Sequence, residues 1–431
     1  MKKLYIKYSE LLKKIGNREV IRKTCRLCKS KKLIKFLDLG NHPPSDQFIN
    51  FSESNQPTLY YPLQVFTCKN CSFKQLGFVV DPKILYQKDY PYESSLTKSG
   101  NKHFDEFAYS CKKTFNLNKN NLVIDIGSNV GNLLKHFKKR NIKVLGVDPA
   151  TNICKIANKR KIKTLNSFFN SKITQKILKN FGKAKIITGS NVFAHIDNLD
   201  LFFKNVKKLL ENQGVLIIEV PYFLNLIKNL EYDTIYHEHL SYITLIPLNK
   251  YLRKIGMQIF DVEEKDIHGG SLRIFMSKIN DYKKTTKFIK LIKREKQEKL
   301  GDIKRLVKFS DKVKKNRLEL TSVLTNIKKK GKSVVALSAP AKGMTLLNYC
   351  KLDKDIMDFA TEKSKLKINK YTPGTNIKVF SDKEILKRKP DYALILAWNF
   401  KNEIMKNNNK YLKSGGKFIV PIPKVKIIGK K

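Results

Sequence analysis

The densest run of reactive side chains in this 431-residue chain is Tyr236-His237-Glu238-His239, inside EYDTIYHEHLSY. Imidazoles titrate near neutral pH, so two of them beside a phenol and a carboxyl suit acid–base work. The letters H-E-H also invite a metal, but the H-E-x-x-H spacing that sets two imidazoles on one helical face is missing. A third reading is structural, with each polar group satisfied internally. If the backbone here is extended, His237 and His239 share one face and Tyr236 and Glu238 the other. Tyr90 and Tyr92, in the tyrosine-dense DPKILYQKDYPYESS, are packing residues or groups that reach into a neighbouring pocket.

Such groups need a scaffold that brings them together. VIDIGSNVG, from Val123 to Gly131, followed by an amphipathic run and VLGVDP, from Val144 to Pro149, describes a β-α-β unit whose first turn faces a small ligand. Gly127 lets the chain turn and Gly131 lets the next helix start close to the strand. The dinucleotide fingerprint G-x-G-x-x-G is not met, because Asn129 stands where the middle glycine clears space for a pyrophosphate. A ligand without pyrophosphate fits better, and S-adenosylmethionine is one. Asp148, 21 residues after Gly127, stands where an acid accepts hydrogen bonds from ribose hydroxyls. The plain alternative is a βα turn with no ligand, which the paired acids Asp125 and Asp148 make less economical.

Further strands follow in KIKTLNSFF, AKIITGSNVFAHI and GVLIIEVPYF, with Glu219 and Tyr222 at the outward end of the last. Ligands of such sheets bind beyond the carboxyl ends of the strands, so Ser190, Asn191, His195 and Glu219 reach the same rim as Gly127. IFDVEEKDIHGGSLRIF reads as two strands joined at Gly269 and Gly270, with His268 and Arg273 either contacting a phosphate or merely solvated. Residues 281–329 are helical and basic, interrupted at Gly301, with an aliphatic stripe that is most simply core contact. A last α/β unit begins at GKSVVALSAPAKGMTLLNY; the loop at Ala341, Lys342 and Gly343 is either an anion site or a structural turn.

Near the start, Cys25-x-x-Cys28 and Cys68-x-x-Cys71 form two knuckles with 39 residues between them. Together they complete a four-thiolate zinc site, which leaves no open position for water and so organises structure. Cys111, Cys154 and Cys350 read as small unpaired hydrophobes. The formal charge is +50, with lysines scattered through nearly every segment. That pattern fits compositional bias with a solvated surface, attraction for a phosphorylated small molecule, or nucleic-acid binding. No run of 18 uncharged apolar residues argues for a membrane span. The N-terminal MKKLYIKYSELLKK lacks the apolar core of a signal peptide, and a cytoplasmic protein is expected.

Taken together, these stretches resemble the three-domain sugar C-methyltransferases of deoxysugar biosynthesis, which methylate a nucleotide-linked 4-keto sugar with S-adenosylmethionine. The likeness runs from the cysteine knuckles through LDLGNHPPSDQF, DYPYESS, VIDIGSNVGNLL, VLGVDPATNI, NVFAHIDNLD, IIEVPYF, YDTIYHEHLSY, HGGSLR, SAPAKGMTLLNY and YTPGTNI to ILAWNF. It implies an α/β protein with a class I methyltransferase Rossmann-like sheet, an N-terminal zinc-binding domain and a second C-terminal Rossmann-like domain. The expected boundaries are 1–115, 116–280 for the donor domain, 281–330 for a basic helical connector, and 331–431. By position, the family's catalytic base matches His239, its sugar partners Tyr236 and Glu238, and its other implicated tyrosine and histidine Tyr90 and His195. The methyl donor falls to Asp125, Gly127, Asn129, Gly131, Asp148, Ser190 and Asn191.

The resemblance implies a nucleoside-diphosphate sugar as partner, C3 of a 4-keto deoxysugar as the methylated carbon, and a monomer or homodimer without nucleic-acid or membrane partners. Two departures stand out. Val130 replaces the aspartate of the family's G-S-N-D-G, which weakens contact with the donor's charged end unless a neighbour compensates. ATEKSKLKINKYTPG, near Thr361, lacks the usual aspartate and proline, which bears on nucleotide recognition. Competing readings are a zinc-containing nucleic-acid methyltransferase, favoured by the charge, and a non-catalytic interaction protein that retains the fold.

Overall fold

The computed structural model describes residues 21–53, 58–86, 90–91, 98–267 and 269–430. The lysine-rich start of the chain, Tyr92 and His268 lie outside them. At the centre is a seven-stranded sheet, whose strands we number β1 (Leu122–Ile126), β2 (Lys143–Asp148), β3 (Thr164–Asn166), β4 (Ala184–Ser190), β5 (Leu210–Pro221), β6 (Met257–Lys265) and β7 (Ser271–Lys278). Their order across the sheet is β6-β7-β5-β4-β1-β2-β3. Strands β1 to β5 run parallel, and β7 is inserted antiparallel to both β5 and β6. This is the class I methyltransferase arrangement. β1 is buried along its whole length, as a strand covered by helices on both faces must be.

Helices return the chain between the parallel strands. Two begin on asparagine caps, Asn170 accepting from the Ile173 amide and Asn198 from that of Leu201. The Lys98–Thr114 helix, ahead of the expected boundary at 115, packs Phe107 and Cys111 into one core with Leu134, Phe137 and Ile186.

The cysteine-bearing segment folds as an antiparallel sheet of Leu33–His42, Tyr61–Cys68 and Lys74–Leu76, closed by Ser241–Tyr242 from far along the chain. A third sheet of six strands is built from residues 334–428, parallel except for its last strand. The basic segment forms the helices Thr286–Gln297 and Ile303–Lys329, separated at Gly301, where a Cβ would meet Ser72 Oγ at 2.4 Å. On the longer helix Leu306, Phe309, Val313, Leu320, Leu324 and Ile327 repeat at helical spacing and are buried. They share one core with Leu37 and Leu39 of the cysteine-bearing sheet and with Val334 and Ala336 of the third, so the aliphatic stripe is core.

Replacing Leu320 with alanine is expected to cost about 2–5 kcal/mol, seen as a lower denaturation midpoint. Leu318→Ala on the same helix, at a side chain 71% exposed, should shift stability by no more than about 0.5 kcal/mol.

Candidate active site

A cleft of about 680 Å3 opens beyond the carboxyl ends of β1, β4 and β5 and is walled by all three regions of the chain. After β5 the backbone makes a short 3-10 turn at Tyr232–Thr234, and the His239 amide then bonds back to the Tyr236 carbonyl at 2.9 Å. The Tyr-His-Glu-His stretch is therefore a tight turn, and the strand-like alternation considered above does not occur. Tyr236 and His239, three residues apart, lie ring against ring with centroids 4.0 Å apart.

The Nδ1 of His239 lies 2.7 Å from the Thr234 carbonyl oxygen. A carbonyl only accepts, so Nδ1 carries the proton and the neutral ring has its lone pair on Nε2. His237 is a different kind of residue. Its Nε2 meets the Tyr61 carbonyl at 3.2 Å, and burial holds its pKa down to about 3, a neutral interior histidine.

His195 comes from the Phe193–His195 turn after β4, its ring centroid 5.3 Å from that of His239. Tyr86 also stacks with His195, at 5.6 Å and 9°. Burial and then the neighbouring His239 push the His195 pKa well below normal, and its buried Nε2 has no hydrogen-bond partner among the described residues. Tyr90 sits edge-on to Tyr86 at 6.0 Å and lines the same cleft. Among the described residues Glu238 is buried without a hydrogen-bond partner of good geometry on either oxygen. Burial first, and the charge of Asp46 second, raise its pKa to about 8, so at neutral pH it is a carboxylic acid able to donate.

The adjoining part of the cleft is the βα turn after β1. Gly127 has φ +66°, and a Cβ there would come within 2.3 Å of Val192 Cγ2. Asp148, at the end of β2, accepts the Asn129 amide on one oxygen and the Ala150 amide on the other, both at 2.9 Å. This aims the carboxylate while each oxygen keeps a lone pair for a ligand hydroxyl. Asp125 takes the Thr188 hydroxyl at 2.7 Å, and burial lifts its pKa to about 7. Ser190 Oγ and Asn191 Oδ1 are buried at this rim without protein partners among the described residues. An acid oriented for a ribose, a turn cleared of side chains and orphaned polar atoms fit S-adenosylmethionine, which Asp148, Ser190 and Asn191 would hold.

The opposite wall is the start of the Ala341–Tyr349 helix, with Ser338, Pro340 and Lys342 facing the cleft. At the other end of the N-terminal sheet, the ligand atoms of Cys25, Cys28, Cys68 and Cys71 all lie within 4.8 Å of one another. The Cys25–Cys71 and Cys28–Cys68 sulfur pairs are 3.6 and 3.5 Å apart. Zn–S bonds of about 2.3 Å in a tetrahedron put sulfurs roughly 3.8 Å apart, so the four cysteines fit a structural zinc.

Comparison with known proteins agrees with this geometry. Three family models match in chain order: "Putative zinc binding domain" over residues 25–86, "Methyltransferase domain" over 103–262, and "C-methyltransferase C-terminal domain" over 266–423. The C-methyltransferase NovU of Streptomyces niveus is 31% identical over 405 residues, 94% of this chain and 96% of that one. The chain belongs to this C-methyltransferase family. Among solved structures, magnesium protoporphyrin IX methyltransferase of Synechocystis PCC 6803 with bound SAH covers 43% of this chain and 89% of its own, at 14% identity and a TM-score of 0.33. An S-adenosylmethionine-dependent methyltransferase of Clostridium acetobutylicum ATCC 824 covers 41% and 91%, at 16% identity and 0.33.

The C-methyltransferase is thus an S-adenosylmethionine-dependent enzyme with a zinc-binding region, and the non-catalytic reading falls away. Tyr90, Asp125, Gly127, Asn129, Asp148, Ser190, Asn191, His195, Tyr236, Glu238 and His239 all line the cleft. Gly131 does not. It stands behind the turn, where a Cβ would strike Ile162 Cγ2 at 2.7 Å, and it serves helix packing. Arg273 does not meet a phosphate site either: it is buried, bonded to Glu219 at 2.9 Å and stacked 3.6 Å over Phe107. Glu219 reaches the rim already paired, with His103 2.7 Å away on its other oxygen. Val130 is buried with Ala150 and Ile153, Tyr90 packing against them, so that position faces apolar neighbours. Glu362, in the departing ATEKSKL stretch, accepts the amides of Ala339, Lys363 and Ser364 and braces the third sheet's loops.

Sequence reasoning missed Tyr86 and His103. Tyr86 lay in a stretch already marked by its tyrosines, but nothing singled it out from Tyr90. His103 sits in an ordinary amphipathic helix and carried no signal. Among the described residues no helix is long and apolar enough to cross a membrane.

Metal analysis should find one zinc per chain, lost in Cys28→Ser together with a fall in melting temperature. Asp148→Asn should weaken calorimetric binding of S-adenosylmethionine by about tenfold or more, the scale of a charge-assisted hydrogen bond.

Proposed function

We propose that the protein transfers a methyl group to C3 of a nucleoside-diphosphate 4-keto deoxysugar, with His239 as the general base. The observation carrying this reading is the tautomer of His239, set by the Thr234 carbonyl, in a cleft continuous with the Gly127–Asp148 donor turn. The family resemblance supplies the sugar.

The chemistry asks for a base, a hydrogen-bond donor for the developing oxyanion, and exclusion of water. His239 Nε2 takes the proton from the carbon beside the ketone, whose oxygen gains the negative charge. The Tyr236 phenol, whose ring lies beside that imidazole, donates to this oxygen, a contact that strengthens as charge develops. Neutral His195 holds the ketone or a ring hydroxyl, and protonated Glu238 offers a second donor without the repulsion a carboxylate would bring. Tyr86 and Tyr90 close the apolar side and keep water from the carbanion. When bound, S-adenosylmethionine supplies an electrophilic methyl group for the carbon so exposed, without a covalent enzyme intermediate. A positioned base contributes typically about 10²- to 10⁴-fold, and alignment of the two reactants supplies more.

His239→Asn should leave the dissociation constant for S-adenosylmethionine within about threefold and lower kcat by about 10³-fold. Wild-type turnover in that variant would end the assignment, as would a product methylated on oxygen or nitrogen. A mass-spectrometric screen of nucleotide 4-keto sugars, seeking one added methylene on the sugar fragment, identifies the substrate.

Because Glu238 ionises only as pH rises through about 8, kcat should decline on that limb. Glu238→Gln, always able to donate, should retain neutral-pH activity and lose the alkaline decline.

A further inference from the structure

The catalytic turn is held from across the cleft. The Thr234 carbonyl that orients His239 lies between two residues anchored by the C-terminal region. On one side, the fully buried Asp233 accepts the indole N–H of Trp398 at 2.7 Å on Oδ2, and the Lys342 ammonium faces the same oxygen at 3.4 Å. On the other, the Ile235 carbonyl accepts the Thr345 hydroxyl at 2.9 Å.

Lys342 and Thr345 are one turn apart on the Ala341–Tyr349 helix, and Lys342 and Asn399 line the cleft. Lys342 is shared among several partners, since its ammonium also lies 3.2 Å from Asn399 Oδ1 and 4.1 Å above the Trp398 ring. Its 3.4 Å approach to Asp233 is longer than the roughly 2.7–2.9 Å of a tight charge-assisted bond. Asp233 Oδ1 is buried without a hydrogen-bond partner among the described residues. A buried anion with one spare oxygen and one loosely held cation can rearrange when another anion arrives beside that cation.

We propose that Asp233, Trp398, Lys342 and Thr345 form a positioning relay, through which an anionic group at the C-terminal wall of the cleft sets the His239 ring for proton removal. The relay rests on the reading of His239 as the base. Its members act through the Asp233-Thr234-Ile235 backbone and are positioning residues. Small displacements of a reacting group are enough, since about 1 Å can cost on the order of 10²-fold.

Two measurements on the full chain test it. Thr345→Val keeps the shape and loses the hydroxyl, whereas Thr345→Ser keeps the hydroxyl. The valine variant should lower kcat by about 10- to 100-fold with the donor KM within twofold. Solvent-deuterium exchange at the substrate carbon should fall by the same factor, and the serine variant should stay within about threefold of wild type. Equal losses in both variants, or wild-type kcat in Thr345→Val, would overturn the relay.

The second measurement needs no turnover. Trp398 is the single tryptophan of the chain, so its emission reports this cluster alone. Titration with thymidine diphosphate or uridine diphosphate should shift that emission in the wild type and in His239→Asn, but not in Lys342→Met. If calorimetry records no binding of either nucleotide, or records binding without an emission shift, the relay is wrong. A wild type that methylates no 4-keto sugar would refute the proposed substrate, while the emission result would still decide the relay.

Discussion

One hydrogen bond, from the His239 ring to the Thr234 carbonyl, decides which imidazole nitrogen can act as a base. The turn that makes it possible is not held by its own segment. His237 is tied to the Tyr61 carbonyl in the N-terminal sheet, Ser241 and Tyr242 complete that sheet opposite Gln75 and Lys74, and Ile235 is bonded to Thr345 in the C-terminal region. The N-terminal sheet and the C-terminal Ala341–Tyr349 helix therefore both hold residues 235–242. The zinc-binding segment belongs to the same arrangement, because Cys25, Leu27 and Phe73 share a core with β4 and β5 of the donor sheet.

Burial then adjusts the charges around the cleft. Loss of solvent disfavours ionised forms, so His195 is kept neutral while Glu238 and Asp125 are kept protonated to higher pH than a free carboxyl. Other acids are held in ion pairs with buried bases. Glu219 is bound to Arg273, Asp197 to Arg26 and Asp46 to Lys367. Each of these pairs withdraws one positive and one negative charge together, so the excess of 87 basic residues over 37 acidic ones is left on the rest of the protein.

Much of this was legible in the sequence. The glycine turn after β1, the acid ending β2, the break at Gly301 and the two cysteine knuckles follow from local rules, because each depends on neighbours a few residues away or on a ligand set with fixed spacing. The turn at Tyr236–His239 was less so. Its four letters fit an extended strand as well as a turn, and the deciding partners, Thr345, Tyr61 and Trp398, are distant in sequence. Arg273 was misread for the same reason, since an arginine after a glycine turn looks exposed until its partner Glu219 is known to stand opposite it on the neighbouring strand. Val130 shows a third kind of difficulty: a position compared with its family counterpart by charge proved to be one decided by packing.

The pairing of Ser241–Tyr242 with Lys74–Leu76 also bears on how the chain is made. A ribosome releases the N-terminus first, and folding during synthesis generally proceeds in that direction. Here the opening sheet lacks its fourth strand until more than half of the polypeptide has emerged, by which time all of β1 to β5 has been translated. The metal-binding knuckles bracket the first two strands of that sheet and can close before the fourth strand exists, giving the unfinished edge a fixed partner to wait beside. Transplanting the N-terminal module between relatives would accordingly have to carry a matching two-residue strand from the middle of the donor region.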